Sequence, residues 1–369
     1  MAKKHRIAVI GHTGRGNYGH GIDTVWRHVP DCEIVAVADA DASGRAKAAK
    51  RLAVTKTYAD YKKMLDEVKP AIVSICPRWL DQHRDMVLAA ARRGIHVYME
   101  KPFCRDLTEA DELVAACEKK DVKLAIAFQT RYSPILPVVR SLIEEGRLGT
   151  LLELRGRGKE DRRGGGEDLW VLGTHIMNLI QFFGGEPNWC FANVLADNKP
   201  ITKKHIKSGP EGIGPLAGDS VNAMYGHDDG VTSYFGSHRN TGERASRFGL
   251  TILGSKGAIE LTTGYIPRAH FLADSHWSSS RSGKQWLPIT SAGVGKKEPL
   301  ARKTNHDGNI AACRDLLAAI EEDRQPEASI YEARTTVEMI AAVFESHRVG
   351  GPVTMPLKTR KNPLTLYKP

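Results

Sequence analysis

Apolar and polar positions along the first third of the chain follow two alternating periods. Short apolar runs at Arg6–Ile10, Glu33–Ala38, Ala71–Cys76, His96–Met99 and Lys123–Phe128 have the length and branched character of buried strands. Between them, apolar residues recur at helical spacing over Tyr18–His28, Ser43–Leu52, Tyr58–Val68, Asp81–Arg92 and Leu107–Lys119. This alternation predicts βαβ units with right-handed crossovers, hence an α/β Rossmann domain with a doubly wound, mainly parallel sheet over residues 1–130.

The pattern changes after Ser133 and Pro134. A helix over Ile135–Glu145, a strand at Leu151–Arg157 and a helix over Asp168–Phe183 lead into a series of β-type runs. These lie at Asn188–Leu195, Ser220–Tyr225, Val231–Ser237, Gly249–Leu253 and Ala258–Leu261, with no helix between them. Strands in succession predict an α+β domain with a large, mainly antiparallel open sheet over residues 131–355. Helices at Asn309–Glu322 and Ile330–His347 close it, and residues 356–369 form a C-terminal tail. The Gly-, Lys- and Pro-rich segment Asp197–Leu216 and the segment Asp274–Pro299 are expected as long surface loops.

Composition narrows the class without changing this division. A length of 369 residues favours two domains, and 41% hydrophobic with 26% charged residues is ordinary globular usage. No apolar run approaches the ~20 residues that cross a bilayer. The first residues pass straight into a strand with no apolar leader segment, so a cytoplasmic location is expected. Six cysteines lie far apart with no C-x-x-C pair, which reads as reduced thiols, and no His/Cys cluster predicts a metal. The net charge of +10 favours anionic partners. The basic residues are scattered, however, and no nucleic-acid motif is present. A solvated basic surface and an anionic substrate such as a sugar acid or phosphate both fit; neither nucleic acid nor membrane is expected as a partner.

The loop after the first strand carries the first chemical signal. Gly11, Gly14, Arg15 and Gly16 form a G-x-x-G-x-G pattern, where glycines allow a tight turn and close approach to a pyrophosphate. The following helix is expected to present unpaired N–H groups to that phosphate. Asp39 ends the second strand twenty-three residues after Gly16, close to the ~20-residue spacing of a ribose-binding acid. A carboxylate there accepts from the adenosine ribose and repels a 2′-phosphate, so NAD is favoured over NADP. A methyltransferase shares a Gly-rich loop and an acidic second strand and remains open at this point.

The next segments separate the two. Cys76-Pro77 ends a strand, His83 follows, and a later strand ends in Glu100, Lys101 and Pro102. Further on come Phe128 to Pro134 with Arg131, Gly146 to Gly149, Gly173 to His175, Leu253 to Gly257, and Gly351 to Val353. This order of motifs over nearly the whole chain resembles the glucose–fructose oxidoreductase / inositol dehydrogenase / MocA (Gfo/Idh/MocA) family of NAD(P)-dependent oxidoreductases. The resemblance implies bound NAD or NADP and carbohydrate-like substrates. It also implies that Lys101 and His175 face the reacting carbon. Oxidising a secondary alcohol needs a base within ~3 Å of the hydroxyl and a cation for developing alkoxide charge. His175 suits the first role, Lys101 the second. Pro77, Arg78, Trp79, His83, Glu100 and Lys101 are expected around the cofactor, with His83 equally readable as a helix cap. The Lys101–Pro102 bond is a candidate cis peptide.

The helix carrying His175 departs from the family pattern. Asp-x-Gly-x-His, often with a further Asp three residues on, becomes Val171 and Asn178 at the two acidic positions. Asp168, i−7 from His175 and ~10 Å down a helix axis, is one candidate to replace the missing acid together with Glu167; capping of the helix is the other reading. Gly173 suggests close approach of the nicotinamide ring or substrate. Substrate contacts are expected from Arg131, Arg163, Asp168, Trp170 and Asn178. The Arg/Lys-rich loop Arg155–Arg163 is either a cationic wall for a carboxylated or phosphorylated sugar or a solvated loop.

The resulting expectation is an NAD-dependent dehydrogenase acting on a ring hydroxyl of a sugar, sugar acid or cyclitol. Two alternatives stay open: an enzyme with tightly held NAD that uses transient oxidation for elimination, epimerisation or glycoside cleavage, and a catalytically silent NAD-binding sensor. An exposed antiparallel sheet predicts a homodimer or homotetramer.

Overall fold

The computed structural model describes residues 4–242 and 247–368, which divide into two compact units. Unit 1 comprises residues 1–128 together with 209–214 and 306–337; unit 2 comprises 129–208, 215–305 and 338–369. The expectation of two contiguous domains therefore differs at two places. Most of the penultimate helix, Asn305–Glu321, belongs to unit 1, where Asn309 accepts a 2.9 Å hydrogen bond from buried Tyr98. A short excursion at 209–214 also returns there, and Gly212 lies against Asp81.

In unit 1, six parallel strands are β1 (His5–Ile10), β2 (Cys32–Ala38), β3 (Lys56–Tyr58), β4 (Ile72–Ile75), β5 (His96–Met99) and β6 (Leu124–Ile126). Their spatial order, β3-β2-β1-β4-β5-β6, is that of dinucleotide-binding sheets. The apolar runs follow from burial on both faces: Ile7 to Ile10 and Ile72 to Ile75 are solvent-excluded throughout. Helices α1 (Ala42–Leu52), α2 (Tyr61–Val68), α3 (His83–Ala91) and α4 (Leu107–Glu118) cover the sheet. Asp41, Asp60 and Asp106 cap α1, α2 and α4 by accepting from the first free N–H groups.

One expected element is absent. Tyr18–His28 is not an α-helix but a run of turns ending in a single 3-10 turn at Val25–His28. Gly16, Gly19 and Gly21 sit at φ +85°, +59° and +80°, and Asn17 at +55°, a region that a right-handed helix never visits. The apolar spacing that suggested a helix instead places Ile22, Val25 and Trp26 in the core, with Trp26 Nε1 donating to Ser74. The strand β3 was also missed: Tyr58 ends it rather than opening a helix.

Unit 2 is built on an eleven-stranded sheet. Along it run Gly293–Val294, Leu287–Thr290, Ala269–Leu272, Gly257–Thr262, Gly249–Gly254, Leu151–Arg157, Thr232–His238, Ser220–Gly226, Trp189–Ala196 and Val353–Thr354. A further pair, Lys199–Pro200, lies beside Trp189–Ala196. All pairs are antiparallel except Leu151–Arg157 with Thr232–His238. The expected loop Asp274–Pro299 thus contains two sheet strands, and 197–216 contains three two-residue strands.

Helix α5 (Ile135–Glu144) precedes the sheet, and the helix expected over Asp168–Phe183 is two helices, α6 (Gly166–Val171) and α7 (Gly173–Gly184), broken at Leu172. α7 lies on one sheet face so closely that a Cβ on Gly156 would fall 2.3 Å from Ile176 Cγ2. The opposite face is polar along Leu151–Arg157 and leaves Phe191 45% exposed.

Candidate dinucleotide and carbohydrate site

Every candidate residue of unit 1 follows the carboxyl end of a strand, the edge where open α/β sheets bind ligands. The Gly11–Gly16 loop follows β1, Asp39 follows β2, Pro77 to Trp79 follow β4, and Glu100 with Lys101 follow β5. β1 and β4 are neighbours at which the strand order reverses direction, so the Gly loop and the Pro77 segment come together there. A Cβ on Gly16 would lie 2.4 Å from the Arg78 backbone N, which explains the glycine by the adjoining chain. Arg15 pairs with Asp81 and stacks 4.8 Å from the Trp79 ring centre, while His12 Nδ1 meets Gln82 Oε1 at 2.5 Å. A cavity of about 200 Å³ opens beside this loop, lined by Gly11, His12, Asp39, Asp60, Tyr61 and Gln82 among others. Glycine, acid and cavity together fit the adenosine half of a dinucleotide. The expected helix N-terminus for the phosphate is missing, since the loop continues as turns.

Asp39 is 1% exposed and fully engaged. It accepts from Thr13 N, Thr13 Oγ1, Asp41 N and the Tyr18 hydroxyl.

Glu100 is solvent-excluded and accepts from His20 N (2.9 Å) and Lys101 N (3.0 Å), with His20 Nδ1 at 2.5 Å. Burial works against its charge, yet the His20 hydrogen bond and the charges of His20 and Lys101 outweigh it and hold the carboxyl below its ordinary range. Lys101 is 7% exposed, and its bond to Pro102 is cis. His83 is not exposed to the cavity, and it opens α3 rather than capping its N-terminus, where the cap is Gln82. Its ring is solvent-excluded, with Nε2 at 2.7 Å from Pro77 O and Nδ1 at 2.9 Å from Pro102 O. It ties the segment after β4 to the segment after β5, holding Lys101 from behind.

In unit 2, His175 is half-buried in the first turn of α7, its N–H donating to Leu172 O. The other expected contacts divide. Asp168 is buried and turned toward the preceding loop: Oδ2 accepts from Glu160 N (3.0 Å) and Ser237 Oγ (2.6 Å). Burial raises its carboxyl above the ordinary range against those hydrogen bonds. It neither caps α6, whose N-cap is Gly165, nor shares one helix with His175. At Gly173 a Cβ would fall 3.0 Å from the Phe235 ring, so packing within unit 2 already favours glycine there.

Two acids of the basic loop pair with part of its positive charge, and with five cations against two carboxylates Arg155–Arg163 stays net positive. Arg163 and Lys159 pair with Asp161, and Arg157 and Arg247 pair with Glu160. Arg163 holds the Asp161 carboxyl far below its usual range. Arg131 stacks 4.4 Å from the Phe182 ring centre. Trp170 Nε1 and Asn178 Nδ2 are buried without an acceptor among the described residues, two donors that a hydroxylated ligand would satisfy. Tyr18 and His20 stand where the apolar spacing predicts a helix, which hides their contacts with Asp39 and Glu100, while Thr13 lies unmarked within the Gly loop. No group of metal-binding side chains occurs among the described residues, and no described helix is long and apolar enough to span a membrane.

Comparison with known proteins agrees with this layout. The family model described as "Oxidoreductase family, NAD-binding Rossmann fold" matches residues 5–128, and the Gfo/Idh/MocA C-terminal domain model matches residues 138–260. The chain belongs to the Gfo/Idh/MocA family of oxidoreductases. D-apiose dehydrogenase of Paraburkholderia graminis is 24% identical over 96% of this chain and 90% of its own length. Myo-inositol 2-dehydrogenase of Thermotoga maritima is 24% identical over 63% of this chain and 73% of its own. The structure of levoglucosan dehydrogenase in complex with NADH and levoglucosan is similar in fold, with a TM-score of 0.77 at 20% identity, covering 96% of this chain and 100% of that one.

Proposed function

We propose that this Gfo/Idh/MocA member is an NAD-dependent dehydrogenase that oxidises a ring hydroxyl of a sugar, sugar acid or cyclitol. The observation that carries the reading is the convergence of the Gly loop, Asp39 and Lys101 at one edge of the β3-β2-β1-β4-β5-β6 sheet. Bound NAD supplies the hydride acceptor. Lys101 stabilises the developing alkoxide, and His175 takes the hydroxyl proton; these roles follow from the family resemblance and the chemistry of alcohol oxidation. Asp39 favours NAD because a carboxylate at the ribose repels the 2′-phosphate of NADP. The relatives named for apiose, inositol and levoglucosan support a carbohydrate substrate. Because the loop Arg155–Arg163 stays net positive, the panel holds sugar acids beside neutral sugars and cyclitols.

The test is absorbance at 340 nm with NAD or NADP and such a panel, with mass spectrometry of the same mixtures. NADH growing with substrate is the expected result. Product without net NADH instead supports transient oxidation by a retained cofactor. That second reading has one observation in its favour: the two acidic positions of the family pattern around His175 hold Val171 and Asn178. Neither NADH nor product rejects both.

We also propose a homodimer or homotetramer, since the polar sheet face with exposed Phe191 otherwise stays uncovered. Sedimentation of the purified chain is expected to give a mass at least twice 40.6 kDa, and a monomer mass at micromolar concentration rejects it.

A further inference from the structure

We infer that Tyr18 competes with the adenosine ribose of the dinucleotide for Asp39, and thereby sets the affinity of the cofactor site. The inference rests on the dinucleotide reading of unit 1. It starts from the acceptor capacity of one carboxylate, about four lone-pair positions on two oxygens. Asp39 Oδ1 takes Asp41 N at 3.0 Å and Thr13 N at 3.2 Å. Oδ2 takes Thr13 N at 3.1 Å, Thr13 Oγ1 at 2.7 Å and the Tyr18 hydroxyl at 2.8 Å. A ribose diol reaching this carboxylate must replace one of these donors.

The donors differ in their freedom to leave. Thr13 N and Asp41 N are backbone groups of the loops that follow β1 and β2. The Thr13 hydroxyl is boxed in by α1, since a Cβ on Gly44 would fall 1.8 Å from it. Tyr18 sits on a turn with Gly16 and Gly19 at positive φ on either side, and of the four donors only its hydroxyl is carried at the end of a long side chain. Its ring lies against Gly11, where a Cβ would fall 2.2 Å from Tyr18 Cζ. The ring therefore covers the glycine that opens the phosphate loop, while its hydroxyl holds the ribose acid. Arg51 stacks 4.7 Å from the ring centre and is itself tethered to Asp23 at 2.7 Å, which keeps the tyrosine down when no ligand is present. Burial first, then the hydrogen bond and charge of Asp39, push the phenol above its ordinary range, so the hydroxyl remains a donor at working pH.

Ligand binding then includes the cost of breaking a hydrogen bond to a charged acceptor, and removing only that hydroxyl should remove the cost. Isothermal titration of the full chain with NAD and with ADP-ribose tests this, because both carry the adenosine ribose. Tyr18→Phe is expected to bind both about tenfold more tightly. In an Asp39→Asn background the same substitution is expected to change affinity little, since the contested charge is gone. Equal or weaker binding by Tyr18→Phe overturns the inference and leaves the hydroxyl as a partner of the bound dinucleotide. A gain that persists with Asp39→Asn also overturns it, because the effect then does not run through Asp39. If neither the unaltered chain nor the variant binds NAD or ADP-ribose, the dinucleotide reading fails with it. Should Tyr18→Phe melt lower than the parent, Tyr18→Leu, which also lacks the hydroxyl, must show the same gain.

Discussion

Lys101→Ala is expected to lower kcat by about 10²–10³-fold on whichever substrate yields NADH, with the Kd for NAD nearly unchanged. The size follows from what the side chain is asked to do. A cation beside a forming alkoxide acts only as charge develops, so its loss falls on turnover rather than on cofactor binding. Lys101 is suited to this by its support. It follows β5 at the ligand-binding edge of the sheet, is 7% exposed, and has its backbone N–H fixed by Glu100. His83 braces the same segment through Pro102 O. Such bracing matters because an ammonium on a loose stem would lose much of its benefit to reorganisation. Arginine at 101 keeps the charge but changes its shape and reach, and is expected to recover only part of the rate. A Lys101→Ala chain with unchanged turnover would remove the lysine from the chemistry. Absence of turnover in the unaltered chain over a broad panel, with NAD still bound, would instead favour a sensor.

The chain makes some of this arrangement readable without a structure, and the reason is burial. Strands excluded from water on both faces must be apolar runs, so β4 and β6 announce themselves along their length and β1, β2 and β5 by their buried carboxyl halves, and the turn and acid residues that follow them mark the ligand edge. The helix wrongly placed over Tyr18–His28 shows where that logic stops. Apolar spacing there describes burial of Ile22, Val25 and Trp26, but three glycines at positive φ decide the backbone, and their conformation is set by contacts with Arg78, Trp79 and Glu100 far along the chain. Asp168 is a second such case. Its i−7 spacing from His175 is visible in sequence, whereas the Ser237 hydroxyl that turns it away is sixty-nine residues distant. The same holds for the segment 306–337, whose return to unit 1 depends on partners such as Tyr98. Local pattern reports which side is buried; it does not report against whom.

Glu100→Gln is expected to destabilise unit 1 by about 2–3 kcal/mol at pH 7, a fall of several degrees in the melting midpoint. The glutamine keeps the shape but surrenders the charge that binds His20 N–H, Lys101 N–H and the His20 ring. His20 has a side chain 49% exposed, so solvent screens part of that attraction, and most of the effect belongs to the buried backbone donors. The pH dependence separates charge from shape. A carboxyl held below its ordinary 4.5 in the folded chain binds its proton more readily when unfolded. Its stabilisation is therefore fully present above about pH 4.5 and is lost as pH falls through the folded-state value. The gap between the two melting curves should accordingly close in acid. A gap that stays open below the folded-state value would assign the loss to packing. A double substitution with His20→Ala should cost less than the sum of the two single changes, because the pair shares one interaction. If the costs simply add, His20 does not anchor Glu100, and the support of Lys101 rests on the backbone contacts alone.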